Sequence, residues 1–270
     1  MGCCDSEAQA KVFDKLAGVP TFYIRNASGE RERYTFKCNE YLFNRLHNWV
    51  ERLNYVSKQY GPSGSDLKSG VTALTFGGIY VCRMVDPCAT AHGYGRAADL
   101  DEVKWGDNGW CKPYDQDHVH PNRDRRRRYL AVDATCRQYF RYVVDGYYNA
   151  AHHDHIHMDN TALPTKLREG STADTVFIQK CCNDFMGYSL KVDGDWGTAT
   201  QSAYKESKER LNVDTDPKNS ETAYRAWLYR AAAHGFADLA FGKISFTSTS
   251  IDSSIGPPDP LPNLYEDGAL

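Results

Sequence analysis

The sequence predicts an α+β fold: a small antiparallel sheet with flanking helices, followed by a smaller all-α unit. Short runs with two-residue alternation, PTFYI early on and HIHMD ending at Asp159, mark half-buried strands. Between them, CNEYLFNRLHNWVERLNYVSKQYG repeats apolar residues at helical spacing. From Pro164 the pattern is helical only, broken by the turn-rich KVDGDWGTAT.

Taken in order, Glu7–Leu16 reads as a short helix, and PTFYIRNASGERERYTF as a hairpin turning at Asn26 to Gly29. Leu42, Phe43, Leu46, Trp49, Val50 and Leu53 define the next helix, which Gly61-Pro62 ends. The linker GPSGSDLKSG leads into VTALTFGGIYVCRMV, read as strands broken at Gly77-Gly78. AHGYGRAADLDEV is a glycine-containing segment entering a strand, and residues 106–125 read as a long polar loop. YLAVDATCRQYFRYVVDGYYN looks helical through about Val144, then turns at Asp145-Gly146. AHHDHIHMDN is a short strand. The expected units are residues 1–163, with a core at 38–159, then a helical unit at 164–245, and a flexible Pro/Gly/Ser-rich tail at 246–270.

A chain of 270 residues can bury one large core or two modest ones. The net charge of −3, with Arg125–Arg128 as the one basic block, gives no reason to expect nucleic acid or an anionic membrane as partner. The block reads as a helix start or a local anion contact. No run approaches the roughly 18–20 apolar residues that span a bilayer. MGCCDSEAQAKVFDKLAG lacks the basic and apolar regions of a secretory signal, so the expectation is synthesis in the cytoplasm and delivery by other means. Gly2 and Ser6 fit a myristoylation pattern, with Cys3 and Cys4 as palmitate acceptors, but so short a motif often arises by chance and membrane anchoring is not expected. The nine cysteines show no CxxC pair, which argues against a zinc ribbon and fits reduced thiols or a few disulfides.

HHDHIHMD, residues 152–159, holds four of the nine histidines. His155 and His157 are two apart, so a strand points both the same way, which suits a metal but also an exposed edge. A hydrolytic zinc needs three protein ligands and one open position. His92 and Asp99 supply a second element, because the glycines and alanines between them let the backbone fold tightly enough for both side chains to reach one point. DQDHVH repeats the HxH spacing at His118 and His120, but in a polar loop where a rigid site is hard to build. Those two histidines are expected at the surface.

His92-x6-Asp99 followed by the distant HxH resembles the zinc peptidase superfamily of D-Ala-D-Ala peptidases, lysostaphin-type endopeptidases and hedgehog. More narrowly, Cys38 to Asp159 resembles the bacterial extensin-like C-terminal family through KCNEYLFNRLHNW, GIYVCR, TAHGYGRAADL and ATCRQYFRYVVDGYYNAAHHDHIHMD. The resemblance implies His92, Asp99 and His157 as ligands of Zn²⁺, with water in the fourth position. It implies a general base at Asp154, three residues before the last ligand and shorter than the usual glutamate, or at His155, as in the lysostaphin-like branch. Arg83 matches the family's arginine, which could stabilise an oxyanion or hold a substrate carboxylate. His152 and His153 read as supporting or surface residues, Asp159 as a cap or an acceptor for an imidazole, and His47 and His234 as structural.

The second unit resembles the peptidoglycan-binding helical repeat through Gly170, Val176, Ile178, Gln179 and VDGDWGTAT. Together the two resemblances imply a zinc-dependent hydrolase of stem or crossbridge peptides in bacterial peptidoglycan. Such a protein is a phage endolysin released by a holin, or a secreted antibacterial effector with an immunity partner, acting in the periplasm or cell wall. The competing readings are a zinc-containing wall-binding or signalling module, invited by Asp154 in place of glutamate, and a metal-dependent nuclease.

Overall fold

Leu42, Leu46, Trp49, Val50, Leu53 and Val56 recur three and four residues apart, and in a computed structural model of the chain they form the fully buried stripe of α1, Glu40–Tyr60. Each large apolar side chain so buried contributes roughly 1.5–3 kcal/mol. Asn39 caps the helix by accepting the Leu42 N–H at 2.7 Å, and the helix stops at Gly61. The structure describes residues 7–24, 30–81, 90–161 and 166–246. The turn expected at Asn26 to Gly29, the lipidation motif, Arg83 and the tail beyond Phe246 lie outside those residues.

The strands are β1 (Lys11–Phe13), β2 (Lys15–Leu16), β3 (Val19–Ile24), β4 (Arg31–Arg33), β5 (Phe36–Cys38), β6 (Val71–Gly78), β7 (Ala97–Trp105), β8 (Gly109–Cys111), β9 (Tyr142–Val144) and β10 (Ile156–Asp159). Among the described residues, β1 and β5 pair alone. The rest form one eight-stranded sheet with the path β2-β3-β6-β7-β10-β9, β4 pairing with β3 and β8 with β7. It is larger than the small antiparallel sheet expected, and β3 with β6 is a parallel pair. The expected hairpin is present as β3 and β4.

Three elements differ from the sequence expectation, each because pairing overrides local pattern. Glu7–Leu16 is not a helix: after a 3₁₀ turn at Glu7–Gln9, Val12 pairs with Lys37, and Leu16 pairs with Val19 around Ala17-Gly18. Both turn residues have positive φ, the geometry of a tight two-residue hairpin. The loop at 106–125 contains β8, which pairs with β7, and the first turn of the following helix, capped by Asn122. That helix, α2 (Arg123–Tyr139), ends before Phe140, and Tyr142–Val144 becomes β9 by pairing with β10.

Arg125–Arg128 opens α2, and all four guanidiniums bond within the protein. Arg125 pairs with Asp117, Arg126 with Asp184 at 2.7 Å, and Arg127 with Asp238 at 3.0 Å, while Arg128 donates to the Trp110 carbonyl at 2.9 Å.

The helical region expected after residue 164 is present as α3 (Thr172–Met186), α4 (Thr198–Arg210) and α5 (Glu221–Phe236). Gln179 organises the VDGDWG turn between α3 and α4. Its Nε2 donates to Asp193 Oδ1, the Asp195 carbonyl and Thr200 Oγ1, and its Oε1 accepts the Asp193 and Gly194 N–H groups, all at 3.1–3.2 Å. α5 packs on α2 and α1, and one hydrophobic cluster runs from Phe13 to Phe246. Gly235 permits the close α2–α5 approach: a Cβ there would lie 2.5 Å from the Arg127 carbonyl oxygen. Cys38, Cys111, Cys136, Cys181 and Cys182 are buried free thiols. Among the described residues, no helix is long and apolar enough to cross a membrane.

Candidate metal centre

Strand alternation divides β7, β10 and β9 into two faces. Ala98, Leu100, Ile156, Met158 and Val143 are buried in the core. The opposite face carries a row in register across four strands, Gly78, Asp99, His157 and Val144. Directly opposed residues stand close enough for their side chains to meet, so the register alone brings Asp99 to His157.

His92 arrives from a turn rather than a strand. The Gly95 N–H donates to the His92 carbonyl at 3.0 Å, and the Arg96 N–H to the Ala91 carbonyl at 2.8 Å. Gly95 adopts φ +62°, and a Cβ on it would lie 2.2 Å from the Ala8 carbonyl oxygen, so glycine is required on both counts. The tight folding expected of the small residues is therefore present.

The ligand atoms converge. His157 Nδ1 lies 2.9 Å from Asp99 Oδ1, His92 Nε2 lies 3.3 Å from Asp99 Oδ2, and the two ring nitrogens are 3.3 Å apart. Atoms about 2.0–2.1 Å from a tetrahedral zinc stand about 3.3 Å from one another, so this set fits such an ion with little movement. His92 Nδ1 donates to the Ile79 carbonyl at 3.0 Å, which leaves Nε2 as the free donor atom and fixes the ring. The three side chains are 17–22% exposed, so one side of the group stays open. His92, Asp99 and His157 form a candidate metal-binding triad.

Burial works to raise the Asp99 carboxyl, but hydrogen bonds from His157 and His92 outweigh it and hold it well below the usual carboxylate range. Burial also opposes charging of His92, and the Asp99 hydrogen bond and charge overcome it, raising that ring. A preformed anionic acceptor between two imidazoles is what a divalent cation would meet.

Asp154 and His155 lie in the turn just before β10. His155 Nδ1 is 2.9 Å from Asp154 Oδ1, and His155 Nε2 is 3.7 Å from Asp99 Oδ1. His155 thus faces the triad, while Asp154 stands behind it. His152 bonds Asn149 Oδ1 at 2.8 Å, and its ring centroid is 5.1 Å from that of His155. Asp159 accepts the Thr161 N–H at 2.6 Å, the capping role expected of it. Arg83, expected to aim a guanidinium at the site, lies outside the described residues.

The second HxH does not join the triad. His118 is buried rather than at the surface, against Tyr129 and Tyr147, and burial pushes its pKa down to about 4. His120 accepts the Asn122 N–H at 3.1 Å. His234 is likewise buried, Nδ1 meeting the Arg230 carbonyl at 2.8 Å.

One carboxyl was missed from the sequence. Asp101 is 5% exposed and bonded to the Gly77 N–H, where β6 and β7 shift register. Bulges of this kind re-aim side chains beside sites. Burial, with the charges of Asp99 and Asp154, pushes Asp101 up to about 8. Its place two residues beyond Asp99 was the available signal.

No curated protein and no solved structure matches the chain. The family described as Extensin-like protein C-terminus matches residues 31–168, which enclose the whole triad, Asp154 and His155. Over half of its length, from β4 to Arg168, the chain therefore belongs to the Extensin-like protein C-terminus family.

Proposed function

We propose that the protein is a zinc-dependent peptidoglycan hydrolase that cleaves an amide bond in the stem or crossbridge peptides of bacterial cell wall. The observation that carries this reading is the convergence of His92, Asp99 and His157 at 2.9–3.3 Å beside the Asp154–His155 pair. Two imidazoles and a carboxylate suit zinc, and the open side leaves a position for water. Zinc bound there would lower the pKa of that water and polarise the scissile carbonyl.

Their order in space supports one division of roles between Asp154 and His155. Asp154 accepts the Nδ1 proton of His155, which leaves the basic lone pair on Nε2, the nitrogen nearer Asp99. His155 Nε2 takes a proton from the attacking water and returns it to the leaving amine, while Asp154 orients the ring and stabilises its charged form. The histidine as base accommodates an aspartate where a longer glutamate would reach the water itself.

The substrate assignment rests on the resemblances, including that of the Gln179-held VDGDWG turn to peptidoglycan-binding repeats. Mass spectrometry of muropeptides, after incubating purified peptidoglycan with zinc-loaded protein, tests it. New stem-peptide products that disappear with His155→Ala support the hydrolase. Wall binding by a zinc-loaded protein that releases nothing would establish the binding module instead.

A further inference from the structure

The register that sets Asp99 opposite His157 also sets His157 opposite Val144 and Asp159 opposite Tyr142. β9 ends the sheet beyond β10, so Val144 lies one strand spacing, about 4.8 Å, from the His157 backbone. Tyr142 and Val144 project from the same face as the triad. Beside β9 opens a cavity of about 550 Å³, bounded also by Tyr148, Arg168 and residues 170–173 at the start of α3. A run of rings links it to the triad: Tyr148 to His152 at 6.0 Å, then His152 to His155 at 5.1 Å and to His157 at 6.0 Å.

Among the described residues, Arg168 is the only formally charged side chain that lines this cavity. Its Nε and Nη2 bond Asp174 at 3.0 and 3.2 Å, and its guanidinium carbon lies 5.1 Å from the centroid of the Tyr142 ring. Arg137, which also pairs with Asp133 and Asp145, reaches the same Asp174 through Nη1 at 3.2 Å. Tyr142 and Tyr148 are 41% and 39% exposed, presenting two amphipathic rings to whatever enters.

We propose that this cavity is the subsite for the peptide segment flanking the scissile amide, with Tyr142 and Tyr148 packing on that segment and Arg168 meeting a substrate carboxylate. The inference rests on the peptidase reading and names its specificity determinants. A peptide reacting at the triad needs only to cross Val144 to reach the cavity. The Arg168 guanidinium on the cavity wall suits a stem peptide, which is rich in free carboxylates.

The test is calorimetric titration of full-length zinc-loaded protein with a synthetic stem pentapeptide and with its fully amidated counterpart, products being read from the same cell by mass spectrometry. Wild type is expected to bind the carboxylate form about tenfold tighter than the amide. Arg168→Gln should abolish that preference, and Tyr148→Ala, away from the Asp174 bonds, should weaken both peptides about tenfold. Preference retained in Arg168→Gln, or unchanged affinity in both variants, overturns the subsite. Cleavage with unaltered variant affinities leaves the peptidase and removes the subsite. Weakened binding in the variants without any cleavage keeps the subsite and removes the peptidase.

Discussion

Asp154 Oδ1 lies 2.9 Å from His155 Nδ1, and the far nitrogen of the same ring is 3.7 Å from Asp99 Oδ1. The pair directs an imidazole backed by a carboxylate at the triad, and under the proposed mechanism its two members should fail differently. His155→Ala is expected to lower kcat by about 100-fold or more. Asp154→Asn should cost less, because the ring remains and only its orientation and basicity suffer. Zinc content should stay at the wild-type level in both. Equal losses, or loss of zinc from either, would contradict the assignment of the proton-moving role to His155.

Metal binding is expected to depend on the triad. Equilibrium dialysis followed by elemental analysis should find one zinc per wild-type chain, and His92→Ala, Asp99→Ala or His157→Ala should each weaken binding by more than about 100-fold. His118→Ala should leave the stoichiometry unchanged, since that ring is packed among tyrosines away from the triad.

Asp101 makes the metal-free protein sensitive to pH. Its folded-state pKa, about 8, lies above the usual 3.8. Below about pH 4 both folded and unfolded chains hold the proton, and the group has no effect. As pH rises towards 8 the unfolded chain has ionised while the folded one has not, so stability falls, and the loss persists above pH 8. Asp101→Asn in chelator should therefore raise Tm more at pH 8.5 than at pH 4.5. The same gain at both values would show that Asp101 titrates normally.

Gly95→Ala combines a strained backbone with a clash against the Ala8 carbonyl. Urea unfolding should register a loss of roughly 2 kcal/mol or more. Zinc affinity should drop as well, because the turn that presents His92 can no longer close. Gly170→Ala, where nothing lies near the added carbon, is the neutral comparison.

Gln179→Ala removes five hydrogen bonds that hold the VDGDWG turn. A cost of about 1–3 kcal/mol is expected. Hydrogen exchange should quicken at Asp193 and Gly194 before it does in α1.

The triad was legible because its signals are local: His157 follows from two-residue alternation, and the small residues after His92 announce a tight turn. α1 was legible for the same reason, its apolar stripe being continuous. What escaped depends on distant partners. Lys11–Leu16 has the composition of a helix and becomes strand only against Lys37 and Val19. Tyr142–Val144 continued a helical pattern until β10 claimed its backbone. His118 looked exposed in DQDHVH, and only the fold of Tyr129 and Tyr147 around it buries the ring. Asp101 could have been read from its spacing to Asp99, but its burial follows from the shift in register beside Gly77.

The packing of α5 onto α1 and α2 sets an order of events during synthesis. Every residue of the triad is translated before Glu221, where α5 begins, yet the helices beneath the sheet keep their apolar surfaces uncovered until α5 is made. Gly235, which lets α5 approach α2 closely, comes near its end. A nascent chain stopped at Asp159 would hold all three triad residues and lack the helix that α1 and α2 pack against. Assembly around the triad is thereby tied to synthesis of α5, and fragments cut short before it should emerge inert and prone to aggregate.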